Sequence, residues 1–355
     1  MKKATPRRCL LLVALYAGAV VGCFALGHWD RIGADCYYFE HFVTRDGIYC
    51  YYRSALTIFL HKLVYLIFRG SVQALNEAGL GTVVQPRDIP WYSIALSSSL
   101  AGAGYLFLLF RFSRSLVFWA LNLSAGCVWI FFGHVENYAW VSFFLVLSLY
   151  ELREYQEGRQ PLWKASVCYF LAVACHHLAV FYAPGYIYFL RGRRLQDRDR
   201  LEVLIPLIAC ILFFVVVPLA VPTEGTELGS QRLVPWFSMW AKNHYFTLFS
   251  IDHLRMLVFF HRTAAPFGVP FLSLVLIGLY GWRLSSRFLK SLAVMSLCGV
   301  VWTTFWHPDW GYRDWDLFGQ FGIVANILAG LILVEDRVRC AHTPSSVGLQ
   351  HAVPR

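Results

Sequence analysis

Apolar runs that approach the roughly 20 residues needed to cross a bilayer as a helix follow one another along most of this chain. Many of the loops between them are short and rich in arginine, while 27–53 and 222–264 are long. Of its 355 residues, 58% are hydrophobic and only 15% charged, where a soluble domain carries about a quarter charged. The expected fold is an all-α polytopic membrane protein. It has about ten transmembrane helices by span length, plus an interfacial amphipathic helix in the first extracytoplasmic loop.

The net charge of +10 fits lysines and arginines that hold loops in the cytoplasm and does not imply nucleic-acid binding. Residues 1–8, with Lys2, Lys3, Arg7 and Arg8, start inside, and the run 9–26 leads outward. Further spans are read at 91–110, 116–132, 139–152, 165–175, 178–190, 201–221, 265–282, 291–306 and 317–334. Both termini are then cytoplasmic, and the loops around Arg111, Arg153, Arg194 and Arg287 all lie inside. The runs 139–152 and 178–190 are short for a crossing, which implies local thinning of the bilayer or a recessed cavity. Residues 1–340 form one transmembrane domain, and 341–355 a short cytoplasmic tail. Val20-Val21-Gly22-Cys23 also has the form of a lipoprotein cleavage site, although the same run serves equally as a first transmembrane helix.

The stretch 54–68 carries Leu56, Phe59, Leu60, Leu63, Val64 and Ile67 on one helical face and Thr57, His61 and Lys62 on the other. Such an amphipathic helix lies in the interface plane. Counting it as a span would place the arginine-rich loops outside. Residues 70–90 then read as an extracytoplasmic connector.

On this topology the acids and histidines gather at one rim. They comprise Asp35, Glu40 and Asp46 in the loop 27–53; His134, Glu136 and Tyr138; His176 and His177; and Asp309, Arg313, Asp314 and Asp316. The span interiors hold Asn122, Gln320 and Asn326, none of which titrates. That argues against an ion-coupled transporter, which needs ionisable groups near the midplane. Most of the cysteines lie inside apolar runs as small hydrophobes. Cys36 and Cys50 share the first loop and are expected to form a disulfide there. No spacing of Cys and His suggests zinc.

Three stretches carry a family resemblance: the acidic loop around Asp35, FFGHVENYAW at 131–140 and LAVACHHLAVFYAPGYIYFL at 171–190. HPDWGYRDWDLF at 307–318 adds to it. The chain resembles the GT-C superfamily of integral-membrane glycosyltransferases, the protein-mannosyltransferase and aminoarabinose-transferase type, which use polyprenyl-phosphate sugars. The resemblance spans nearly the whole chain as architecture and is weak for substrate. It implies that a polyprenyl-phosphate-linked sugar is the donor and that an Asp in the first extracytoplasmic loop is catalytic, here Asp35 with Asp30 as competitor and Glu40 beside it. The large soluble acceptor domain of that superfamily is missing, so the acceptor (glycan, lipid or protein) stays open.

Glycosyl transfer to a hydroxyl needs a base for the acceptor proton and positive charge or hydrogen-bond donors for the leaving phosphate. Arg53, Arg313 and the histidines 134, 176 and 177 suit the second task, with Glu136, Tyr138, Asp314 and Asp316 around them. A divalent metal held by acids such as Asp35 and Glu136 is compatible with the sequence, and no spacing requires one. The expected location is a bacterial inner membrane with the site facing the periplasm or exterior. A non-catalytic translocator or scaffold for lipid-linked substrates is the alternative.

Overall fold

The computed structural model describes residues 6–25, 34–47, 49–81, 84–191, 197–224, 233–237, 246–270, 284, 286–308 and 315–342. These are overwhelmingly helical, and five helices are long and apolar enough to cross a membrane. The coarse expectation of an all-α membrane protein holds.

The helices are α1 (Pro6–Ala25), α2 (Ala34–Thr44), α3 (Ala55–Glu77), α4 (Ile89–Phe112), α5 (Leu116–Leu123), α6 (Tyr138–Gln156), α7 (Leu162–Cys175), α8 (Ala183–Leu190), α9 (Asp197–Ala220), α10 (Ile251–Ala264), α11 (Arg287–Phe305) and α12 (Trp315–His342). Two short strands, β1 (Cys50–Tyr51) and β2 (Thr223–Glu224), pair in parallel. They fasten the first loop to the end of α9, and an ion pair between Arg45 and Glu224 at 2.9 Å reinforces the join.

The centre of the bundle is built by α4, α6, α7 and α12. Helix α4 buries Ser97, Ser98, Ser99 and the run Ala101 to Gly104. Small residues let neighbouring backbones approach closely, and a Cβ on Gly102 would stand 2.7 Å from the Phe131 Cβ and 2.8 Å from its carbonyl oxygen. Of the polar residues in the span interiors, Asn122 donates to the Phe118 carbonyl at 2.8 Å but leaves its Oδ1 without a partner, as Gln320 leaves its Nε2. Asn326 accepts from the Gly268 amide at 3.0 Å and donates to the Ala264 carbonyl at 3.2 Å, closing the end of α10.

Several sequence expectations need correction. Helix α3 does not stop at residue 68 but runs to Glu77, so the connector begins only at Ala78. The runs 116–132 and 178–190 are not continuous helices. The first is α5 followed by a 3-10 turn at Gly126–Phe131, and the second is a 3-10 turn at His177–Tyr182 followed by α8. Pro184 accounts for the second break, because it supplies no amide for the turn before it and suits a first helical turn. The loop 27–53 contains α2, and the long loop after α9 contains α10, which Ser250 caps by accepting the His253 amide. The proposed span 265–282 lies largely outside the described residues.

The arginine-rich segments do collect at one end. Arg111 of α4 donates to the Tyr150 hydroxyl at 2.9 Å, and Arg153 donates to the Phe112 carbonyl at 2.8 Å. Gln156 accepts the Phe288 amide at 2.9 Å. Arg159 forms a forked pair with Glu154 at 2.6 and 2.7 Å. The helix ends at Phe112, Gln156 and Arg287 and the start of α7 are therefore neighbours.

Candidate functional site

At the other end of the α6–α7 hairpin, the turn before α6 meets the turn after α7. Both are clasped by the start of α3. The sequence produces this turn with Gly133, whose φ of 71° suits glycine, followed by residues that leave helical geometry until Tyr138.

Three side chains hold the carbonyls of this turn. Ser98 of α4 donates to the His134 carbonyl at 2.6 Å. His61 of α3 donates from Nε2 to the Glu136 carbonyl at 3.2 Å. Thr57 lies 3.5 Å from the Asn137 carbonyl and donates at 3.0 Å to the carbonyl of Cys175, the last residue of α7. The Asn137 amide donates to the Ser54 hydroxyl at 2.6 Å.

His61 fixes the proton pattern of the network. A carbonyl can only accept, so Nε2 carries the proton and Nδ1 is free to accept from the Ser97 hydroxyl 2.9 Å away. Ser97 in turn accepts the Trp140 indole N–H at 2.9 Å. Every donor is matched with a neutral imidazole, as a fully buried histidine needs. The sequence displayed Thr57 and His61 as the polar face of an amphipathic helix. The structure turns that face into the protein and leaves Leu63 and Ile67 outward, 54% and 62% exposed.

On this clasp sit the rim residues. The Tyr138 and His176 rings lie 5.5 Å apart, and those of His176 and His177 lie 5.3 Å apart. Tyr52 meets His177 on one side and Phe214 of α9 on the other, at 6.5 and 5.6 Å. Arg53 acts electrostatically on both histidines. Burial and then the charge of Arg53 lower the His177 pKa to about 4. Burial, His177 and Arg53 push His176 well below the ordinary range. His176 Nδ1 also accepts the Leu178 amide at 3.1 Å, which leaves the proton on Nε2. Both histidines are therefore neutral at pH 7 and offer hydrogen bonds rather than charge. Of the two ways expected for holding a phosphate, positive charge or hydrogen-bond donors, the histidines keep the second, and Arg53 is the permanent cation of this cluster.

The structure thus brings together Arg53, Tyr138, His176 and His177 next to the turn carrying His134 and Glu136. Glu136 is buried, while His134 is half-buried. Asn137, buried beside them, has an Oδ1 with no hydrogen-bond partner. Ser54, Thr57, His61, Ser97 and Asn137 carry little signal in the sequence: Asn137 falls within 131–140, and Thr57 and His61 within the polar stripe of α3.

Asp35 stands in the first turn of α2, and Asp316 in the first turn of α12, with side chains outside the described portion. Glu40 is half-buried on α2. Asp309, Arg313 and Asp314 lie outside the described residues, as do the side chains of Cys36 and Cys50. His307 is buried and stacks at 4.8 Å on Phe246, whose opposite neighbour is His253 at 5.0 Å. Phe246, Trp302 and Leu178 share one apolar cluster, so the tail motif begins at the same end of the bundle as His176 and His177. Among the described residues, no group of three His, Cys, Asp or Glu side chains comes together to hold a metal.

No family model matches the chain, and neither a curated protein nor a solved structure matches it.

Proposed function

We propose that this chain is a GT-C-type membrane glycosyltransferase that moves a sugar from a polyprenyl-phosphate donor to an acceptor hydroxyl. What carries this reading is the convergence of Arg53, Tyr138, His176 and His177 on a clasped turn at the end of the bundle opposite the arginine-rich loops. By the positive-inside rule that end is extracytoplasmic. The reading includes about ten spans by length, cytoplasmic termini and a bacterial inner membrane.

In the proposed reaction the acceptor oxygen attacks the anomeric carbon while the bond from that carbon to the phosphate oxygen breaks. The acceptor proton passes to Asp35, and polyprenyl phosphate departs with inversion. Arg53 and Arg313 meet the phosphate in forked contacts. The neutral His176 and His177 supply N–H donors. The aromatic step from His177 through Tyr52 to Phe214 leads from this polar cluster to α9, whose long apolar surface is exposed. It gives the donor's apolar tail a path between helices.

The test is transfer from radiolabelled polyprenyl-phosphate sugars by the purified protein in vesicles, with Arg53→Met and His177→Ala as variants. Transfer that depends on both residues supports the reading. A protein that binds the lipid-linked sugar, moves it across the vesicle and transfers nothing is the translocator instead.

A further inference from the structure

A groove of about 410 Å³ lies between the end of α2 and the outer face of α3. Asp46, Phe59, Lys62, Leu63, Leu66 and Arg69 line it. It is separate from the rim cluster: Lys62 follows Arg53 by about 13 Å along the chain at the helical rise.

The chemistry of the groove is divided. One wall is apolar, and its Leu63 and Leu66 are 54% and 51% exposed. The other carries two cations against one acid, and the charges of Asp46 and Arg69 both act on Lys62. Lys62 donates to the Val43 and Arg45 carbonyls at 2.7 and 2.6 Å, which closes the end of α2. An ammonium has three donors, so one remains for a ligand. Arg69 is exposed and makes no hydrogen bond or ion pair among the described residues.

Exposed apolar residues lie on both sides of Arg69 along α3: Leu63, Leu66 and Ile67 before it, and Leu75, 43% exposed, after it. Gln73, Asn76 and Glu77 are exposed beyond it as well. Arg69 is thus a cation set within a partly apolar outward face.

We propose that this groove binds an anionic phospholipid of the surrounding leaflet. Arg69 and Lys62 take the phosphodiester, and one acyl chain lies along Phe59, Leu63 and Leu66. A zwitterionic lipid fits less well, because its ammonium group meets the same two cations with only Asp46 to offset them. A basic residue at an anionic bilayer surface is worth about fivefold in binding.

The test uses the purified full-length protein and native mass spectrometry with phosphatidylglycerol and phosphatidylcholine of matched acyl chains. Preferential retention of phosphatidylglycerol is expected in the unaltered protein. It should fall about fivefold in Arg69→Gln and persist in Arg69→Lys, while Lys62 is left in place because it closes α2. Equal retention of both lipids, or a preference unchanged in Arg69→Gln, overturns the proposal. Displacement of phosphatidylglycerol by stoichiometric polyprenyl phosphate, with the same dependence on Arg69, overturns it too and makes the groove part of the donor site. Retention is read without any transfer reaction, so failure here leaves the enzymatic reading standing, and the reverse.

Discussion

His61 Nε2 donates to the main-chain carbonyl of Glu136 across 3.2 Å, joining residues 75 positions apart through a side chain with no exposure. A single neutral imidazole thus ties α3 and α4 to the turn that opens α6. His61→Leu removes both of its hydrogen bonds. The expected loss is about 0.5–1.5 kcal/mol for each bond. His61→Gln, which keeps a donor, should lose less. Thermal unfolding in detergent measures both.

The neutral histidines predict an acid-sensitive fold. The unfolded chain takes up protons on His176 and His177 near pH 6.5. The folded protein resists until about pH 4 at His177 and lower still at His176. Their contribution to stability is therefore complete above about pH 6.5 and declines as the pH falls toward 4, by up to about 1.4 kcal/mol per pH unit for each group. Unfolding between pH 4.5 and 7.5 should show this slope in the unaltered protein and a shallower one in His177→Gln.

Gly102 predicts a packing failure. Its missing Cβ is what admits the Phe131 backbone, whose carbonyl oxygen stands 2.8 Å from the point a Cβ would take. Gly102→Val should cost about 1–3 kcal/mol by overpacking. Gly158→Ala is a different case, because open space surrounds its Cβ position and only its φ of 74° is unfavourable. Midpoints of heat unfolding for the two variants separate steric from backbone strain.

The catalytic assignment predicts a loss of about 10²–10⁴-fold in turnover for Asp35→Asn, the usual worth of a positioned base. Donor binding should be nearly unchanged. Glu40→Gln should cost less. Arg313→Lys should impair donor use more than loss of a point charge alone would, because a forked contact disappears. If Asp35→Asn transfers normally and Asp30→Asn does not, the base is Asp30.

Sidedness is testable by impermeant thiol labelling in a background without other accessible cysteines. Asp46→Cys, exposed beside the first strand, should react from outside the cell. Arg159→Cys, at the arginine-rich end, should react only after permeabilisation. Outside labelling at position 159 would reverse the whole orientation.

The long apolar runs made the helical membrane fold legible from residue types alone, because burial in lipid selects composition along the whole length of a span. The clustering of arginines at one end was legible for the same reason, since each loop carries its own charge. The small-residue run from Ser97 to Gly104 announced a close helix contact without naming Phe131 as its partner. What composition left open was which face of an amphipathic helix turns inward. Thr57 and His61 read as a surface, and only the carbonyls of Glu136 and Cys175, contributed by distant turns, made that face a buried one. Composition equally left unseen where α5 and α8 break into 3-10 turns, because apolar residues fit either geometry and only the packing around them decides. The charge on His176 and His177 belongs to the same class. A histidine is a cation or a neutral donor according to its burial and neighbours, and the enclosure of both rings beside Arg53 exists only once α3, α6 and α7 have come together.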